Sequence, residues 1–183
     1  MKTSIFLIGV LVCVGMACKE STVAPPTDAN LIPNGSFETD HTPTIQGWRF
    51  GNPQLAQLVN EAPPDGGNWS LQLTADWAPT SGFVYTPVTN VHSGDIVKLS
   101  AYIRATGRFG GGGVIRIVTG PNNYSSHAKW TSSTDTLWSQ VSIIDTLTLS
   151  PGDTVWVVLS SFITEIIPRQ GLFDLVKLEQ VSK

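Results

Sequence analysis

The sequence predicts an all-β sandwich, on three observations. Residues 94–104, GDIVKLSAYIR, alternate: Val97, Leu99, Ala101 and Ile103 fall on one face, and Lys98, Ser100, Tyr102 and Arg104 on the other. Successive side chains of a strand point to opposite faces, so this stretch is a half-buried strand. Turn chemistry recurs between short runs, as Asn-Pro, Pro-Pro-Asp-Gly-Gly, His-Ser-Gly-Asp, Gly-Pro-Asn-Asn and Ser-Pro-Gly-Asp, because Gly admits positive φ and Asn or Asp bonds its own backbone. No apolar repeat at helical spacing runs to a useful length. Many short strands joined by such turns build a sandwich.

Composition agrees. Charged residues are 14% of the 183, against an average of about 25%, while Gly (17) and Pro (12) are plentiful. The length accommodates one domain with a sizeable core plus an extension. The formal net charge is −3 and no basic run occurs, so a nucleic-acid partner is not expected.

Residues 1–17 read as a secretory signal: a short basic start at Lys2, then an apolar run over 4–14 that is too short to span a bilayer. Its end, Val14-Gly15-Met16-Ala17-Cys18, resembles a bacterial lipobox, with Gly15 where a leucine is usual. That resemblance implies a lipidated Cys18 and a membrane held through the N-terminal lipid, in the bacterial envelope and at its outer membrane. The cysteines are Cys13 and Cys18, both in this segment, which leaves the following domain without a thiol for a disulfide, metal cluster or nucleophile. Residues 18–30 form the lipidated cysteine and a polar, proline-containing tether. The domain proper is expected over 31–183.

Within it, strands are expected near 31–37, 48–50, 57–60, 70–74, 82–88, 96–105, 113–118, 138–148, 154–161 and 172–180. Ile115 and Ile117 point inward and Arg116 outward. Val141 and Ile143 point inward, as do Val155, Val157 and Leu159, with Trp156 outward. Gly110–Gly113 read as a hairpin connection, and PNNYSSHAKWTSS (121–133) as a polar loop carrying Tyr124, His127 and Trp130. Trp48, Trp69 and Trp138 suit a core, since tryptophan buries a large area.

Five motifs in order carry a family resemblance. They are Leu31-Ile32-Pro33-Asn34-Gly35-Ser36-Phe37-Glu38 followed by Gly47-Trp48; Gly67-Asn68-Trp69-Ser70-Leu71-Gln72-Leu73; the strand of 94–105; Trp138-Ser139-Gln140-Val141; and Phe173-Asp174-Leu175-Val176-Lys177-Leu178. Together the chain resembles the carbohydrate-binding modules of the family 4/9/22 type. The resemblance implies a jelly-roll β-sandwich of the galactose-binding-like fold, a polysaccharide or oligosaccharide partner, and a structural Ca²⁺ held between the first-strand region and the closing strand. Function is not fixed by a fold that hosts many.

The outward residues supply a candidate site. If their strands share one sheet, Tyr102, Arg104, Arg116 and Trp156 form a platform, with Tyr124 and Trp130 as loop contributors. Aromatic rings stack on flat apolar surfaces such as the C–H faces of sugars, and arginines bond hydroxyls or an acidic sugar group. The competing reading is a structural or adhesive envelope protein that contacts a protein partner through the same sandwich. An enzyme is not expected. The acids sit mostly in turn contexts, His41, His92 and His127 lack a surrounding motif, no G-x-S-x-G occurs, and the glycine run lacks the Lys-Ser/Thr of a phosphate loop. Asp174 alternates in phase with Val176 and Leu178, so it is expected to point inward, where a carboxylate requires a partner. With Glu38 it is the expected metal pair, hard oxygen ligands suiting calcium; backbone N–H groups or a nearby arginine are the other partners open to it. Leu175 stands where relatives carry a second Asp.

Overall fold

The alternation of 94–104 becomes the long strand around which one sheet is organised. The computed structural model describes residues 29–76, 82–106, 111–163 and 169–182. Its strands are β1 (Glu38–Thr39), β2 (Thr42–Pro43), β3 (Arg49–Phe50), β4 (Ala56–Val59), β5 (Ser70–Ala75), β6 (Phe83–Val88), β7 (Ile96–Thr106), β8 (Gly111–Gly120), β9 (His127–Ser133), β10 (Ser139–Thr146), β11 (Thr154–Ile163) and β12 (Arg169–Ser182). A single 3₁₀ turn at Pro53–Leu55 is capped by the Asn52 side chain, which accepts from the Gln54 N–H at 3.2 Å.

Two five-stranded sheets face one another. The first runs β10-β7-β12-β5-β4 and the second β3-β6-β11-β8-β9; β1 and β2 make a small hairpin outside both. The described residues thus form an all-β jelly-roll sandwich, as expected. Leu99 and Ile103 of β7, Leu71 and Leu73 of β5 and Phe173 of β12 meet Ile115 and Ile117 of β8 and Val157 and Leu159 of β11 in the core. Removing such apolar surface from water is the main favourable contribution to the fold, roughly 1.5–3 kcal/mol for each large side chain. The sheets approach closely at Gly113, where a Cβ would lie 2.6 Å from the ring of Phe173 and 2.7 Å from Ile103.

The turn before β7 is built as its sequence implies. Gly94 has φ +90°, and the buried Asp95 accepts the His92 N–H at 2.8 Å. Three expectations are corrected. Residues 31–37 are not a ladder strand, because Asn34 (φ 54°) and Phe37 (φ 55°) sit in the left-handed region; the segment instead lies along β12, with Leu31 N–H donating to Leu178 O and Val176 N–H to Gly35 O, both at 2.8 Å. Gly111–Gly113 are the start of β8 and not a hairpin connection. The polar loop of 121–133 is a loop only in its first part, since 127–133 form edge strand β9.

Candidate functional site

The assumption of one shared sheet does not hold. Tyr102 and Arg104 lie on β7 in the first sheet, Arg116 and Trp156 on β8 and β11 in the second. Each residue faces away from the core as expected, but the sheets' outer surfaces lie on opposite sides of the sandwich. The expected platform is therefore two separate surfaces. Period-two alternation fixes which face a residue takes within its strand and carries no information about strand partners.

On the first sheet, Arg104 is already engaged. It is ion-paired with Glu61 and lies over the ring of Trp138, 5.6 Å from its centroid. Trp138 is half-buried, as is Trp69, whereas Trp48 is a core residue whose indole N–H donates to Asn34 O at 3.0 Å. Tyr102 lines a shallow cleft with Gln140 and Lys177. Cys18 lies outside the described residues.

The second sheet's outer face gathers the rest. Strand register aligns Arg49 of β3, Tyr85 of β6, Val158 of β11, Arg116 of β8 and Trp130 of β9 in one row across all five strands. Directly opposed residues of an antiparallel pair share a face, so all of these point outward. The flanking rows add Phe83, Ser160, Val114 and Ser132 on one side and Pro87, Trp156, Val118 and Ala128 on the other. Phe83 stacks near Tyr85 (6.1 Å between centroids), and Tyr85 meets Trp156 edge-on at 5.8 Å. The Trp156 indole N–H donates to Gly120 O at 3.4 Å. Trp156 thus braces Tyr85 at one end of the face.

At the other end lies a cleft of about 560 Å³ lined by Arg116, Trp130, Ser132 and Phe162. A second opening of about 410 Å³ joins Arg116 to Phe83, Tyr124 and Ser160. Of the residues expected in the site, the structure brings Arg116, Trp130 and Tyr124 to these two adjoining openings. Trp130 is 62% exposed and Tyr124 81%. Tyr124 is presented by a small turn in which Asn122 Oδ1 accepts the Tyr124 N–H (3.2 Å) and the Ser125 hydroxyl donates to Asn122 O (2.9 Å). Burial in the cleft pushes the Arg116 guanidinium below the ordinary arginine value, and one of its amino groups donates to Ser160 Oγ at 3.2 Å. Sequence reasoning missed Arg49, Phe83, Tyr85 and Phe162. The alternation of FVYTPV (83–88) carries the signal for two of them, because Val84, Thr86 and Val88 are the buried set.

Asp174 is buried, but not by pointing into the core. It pairs with Tyr102, whereas Phe173 pairs with the core residue Ile103, and a bulge between Asp174 and Lys177 shifts the register. Leu175, at φ 48°, is the extra residue. Asp174 therefore lies on the outer side of β12 while Val176 and Leu178 lie inside, and the expected common phase is corrected. The loop of 61–69 covers it: a Cβ on Gly66 would overlap Asp174 Oδ2, and one on Gly67 would overlap Glu38 Oε1. Asp174 Oδ1 accepts the Leu175 N–H at 2.7 Å, while Oδ2 is buried without a partner, and so is the Ser70 hydroxyl one step along the β5–β12 ladder. Burial, with the charge of Glu38 adding to it and the Leu175 N–H opposing, pushes the Asp174 carboxyl up to about 8. Glu38 Oε2 accepts the Asn68 N–H at 3.0 Å. An orphaned carboxylate oxygen, an orphaned hydroxyl and a second carboxylate close by fit a hard cation. No group of three His, Cys, Asp or Glu side chains that could hold a metal occurs among the described residues, so backbone carbonyls would complete such a site.

No protein-family model and no curated protein matches the sequence. Solved structures do. A family 61 carbohydrate-binding module in complex with β-1,4-galactotriose superposes with a TM-score of 0.55 at 14% identity, over 83% of this chain and 99% of that one. A family 16 carbohydrate-binding module gives 0.57 at 20% identity, over 81% and 99%. The CBM22-1–GH10 modules of a Clostridium thermocellum endo-1,4-β-D-xylanase, complexed with xylohexaose, give 0.53 at 13% identity, over 82% of this chain and 29% of that one. This chain has the β-sandwich fold of carbohydrate-binding modules, the type its sequence motifs resemble.

Proposed function

We propose that this protein binds carbohydrate without cleaving it, on the outer face of the β3-β6-β11-β8-β9 sheet. The observation that carries the reading is the row Arg49–Tyr85–Val158–Arg116–Trp130, in which the exposed ring of Trp130, the half-buried ring of Tyr85 and two arginines share a face with an open cleft. Rings offer stacking surface to sugars, and a groove with a few convergent polar groups is what a small ligand requires. A flat, mixed apolar face would instead suit the competing envelope-protein partner. Binding is tested by glycan-array screening followed by calorimetry on the polymers that score. Trp130→Ala is expected to weaken binding about two- to tenfold, from roughly 0.5–1.5 kcal/mol of stacking beyond area burial, with the melting temperature nearly unchanged. Full affinity in a folded Trp130→Ala protein would move the site elsewhere.

Calcium held by Glu38 and Asp174 is the metal we propose, as a structural ion outside this face. The lipobox-like end motivates a lipid anchor at Cys18, placing the sandwich at the bacterial outer membrane. Cys18→Ser is expected to abolish palmitate incorporation and release the protein from membranes; unchanged labelling would remove the anchor.

A further inference from the structure

We propose that the ligand of this face is an acidic polysaccharide, with a uronate carboxylate seated on Arg116 while its ring stacks on Trp130. This rests on the glycan-binding reading and goes beyond it in naming the substrate class. The chain carries 14 acidic residues against 11 basic ones. Yet the outward positions of β3, β6, β11, β8 and β9 among the described residues hold Arg49 and Arg116 and no carboxylate. An acidic chain that keeps one whole sheet face free of acid leaves that face open to anions.

Arg116 itself is only partly engaged. Its guanidinium offers several N–H donors in a planar fork, of which one meets Ser160 Oγ. No ion pair of Arg116 is found among the described residues. Its floor is apolar: Val158, its cross-strand neighbour, and Val118, two residues along β8, line the same opening and are 4% and 2% exposed. Burial already disfavours the cation there. An exposed arginine without an acid among the described residues gains most from a ligand that brings one, and a carboxylate matches its fork with two parallel bonds.

Arg116 and Trp130 are directly opposed on β8 and β9, which sets their Cβ atoms about 5 Å apart. A uronate carries its carboxylate as a ring substituent, so one residue can cover the indole and reach the guanidinium together. A neutral sugar supplies only hydroxyls to the same donors and leaves the charge unmatched.

The test uses the chain with polygalacturonate, alginate and hyaluronate, each beside its own carboxyl-reduced product, so that backbone shape is held while charge is removed. At least one acidic polymer is expected to bind roughly 10- to 100-fold more tightly than its reduced form, the range for a hydrogen bond to a charged group. Arg116→Met is expected to erase that difference while retaining weak binding to both forms. Arg116→Lys, which keeps charge but loses the fork, is expected to fall between, and serves if the Met variant does not fold. Equal binding of acidic and reduced polymers overturns the acidic assignment and leaves glycan binding standing. Binding of none of these polymers and of no neutral glycan overturns both. Equal binding of polyacrylate shows attraction to charge alone and overturns the proposal, as does a folded Arg116→Met protein that still prefers the acid.

Discussion

The two outer surfaces of the sandwich use the same side chains to opposite ends. On the first sheet Arg104 has an acid, Glu61, and a ring, Trp138. On the second sheet Arg116 has a ring opposite it, Trp130, and no acid among the described residues. The first surface is also covered, its loop of 61–69 closing over Asp174. The second keeps Trp130 and Tyr124 exposed. An arginine beside an aromatic is therefore not by itself a sign of binding. The counter-charge that the protein does or does not supply separates a structural pair from a site.

The largest expected effect breaks the covered side. Asp174 has a folded-state pKa near 8 against 3.8 for the free side chain. Between those values the folded protein keeps a proton that the unfolded chain has lost. Stability from this group is thus complete below pH 3.8 and is lost as pH rises through 8, by an amount on the order of 5 kcal/mol. With chelator present, melting temperature should fall over that window. Added Ca²⁺ should suppress the fall by binding only the folded state, and Asp174→Asn should remove both the slope and the calcium response. Equal melting profiles with chelator and with calcium would leave the carboxyl protonated and metal-free.

Next comes a crossed pair of substitutions. Arg104→Met should cost roughly 1–2 kcal/mol of stability, from an exposed ion pair and a cation–π contact, and leave glycan affinity unchanged. Arg116→Met should do the reverse. Thermal melts and calorimetry on both variants read the comparison directly, and a glycan-binding loss in Arg104→Met would rejoin the two surfaces functionally. The smallest effect is Tyr102→Ala. Because Tyr102 lies on the first sheet, its loss should alter affinity by less than about twofold and stability by about 0.5 kcal/mol or less, as for an ordinary surface position.

Much of this was legible in sequence. The alternations of β7, β8 and β11 correctly orient Arg104, Arg116 and Trp156, because each strand buries one face against a core. What stayed hidden has particular causes. The division of these strands between two sheets is a matter of pairing, which alternation does not encode. Strand β9 escaped because an edge strand exposed along His127–Trp130 has no buried set to produce alternation. Asp174 was misplaced because one residue at positive φ, Leu175, reverses the phase of everything after it. Phe83 and Tyr85 were readable in principle, as the odd members of a strand whose even members are apolar or Thr.

Asn30 gives the fold a mechanical property. Its side chain donates to Val176 O (2.9 Å) and accepts from Leu178 N–H and Ile32 N–H, both at 3.0 Å. These bonds grip β12 beyond Phe173, where its pairing with β5 ends, and β12 is the middle strand of its sheet. Over this stretch β12 is thus bonded by β7 on one side and by the segment of 30–35 on the other, so tension entering at Asn30 meets several hydrogen bonds at once.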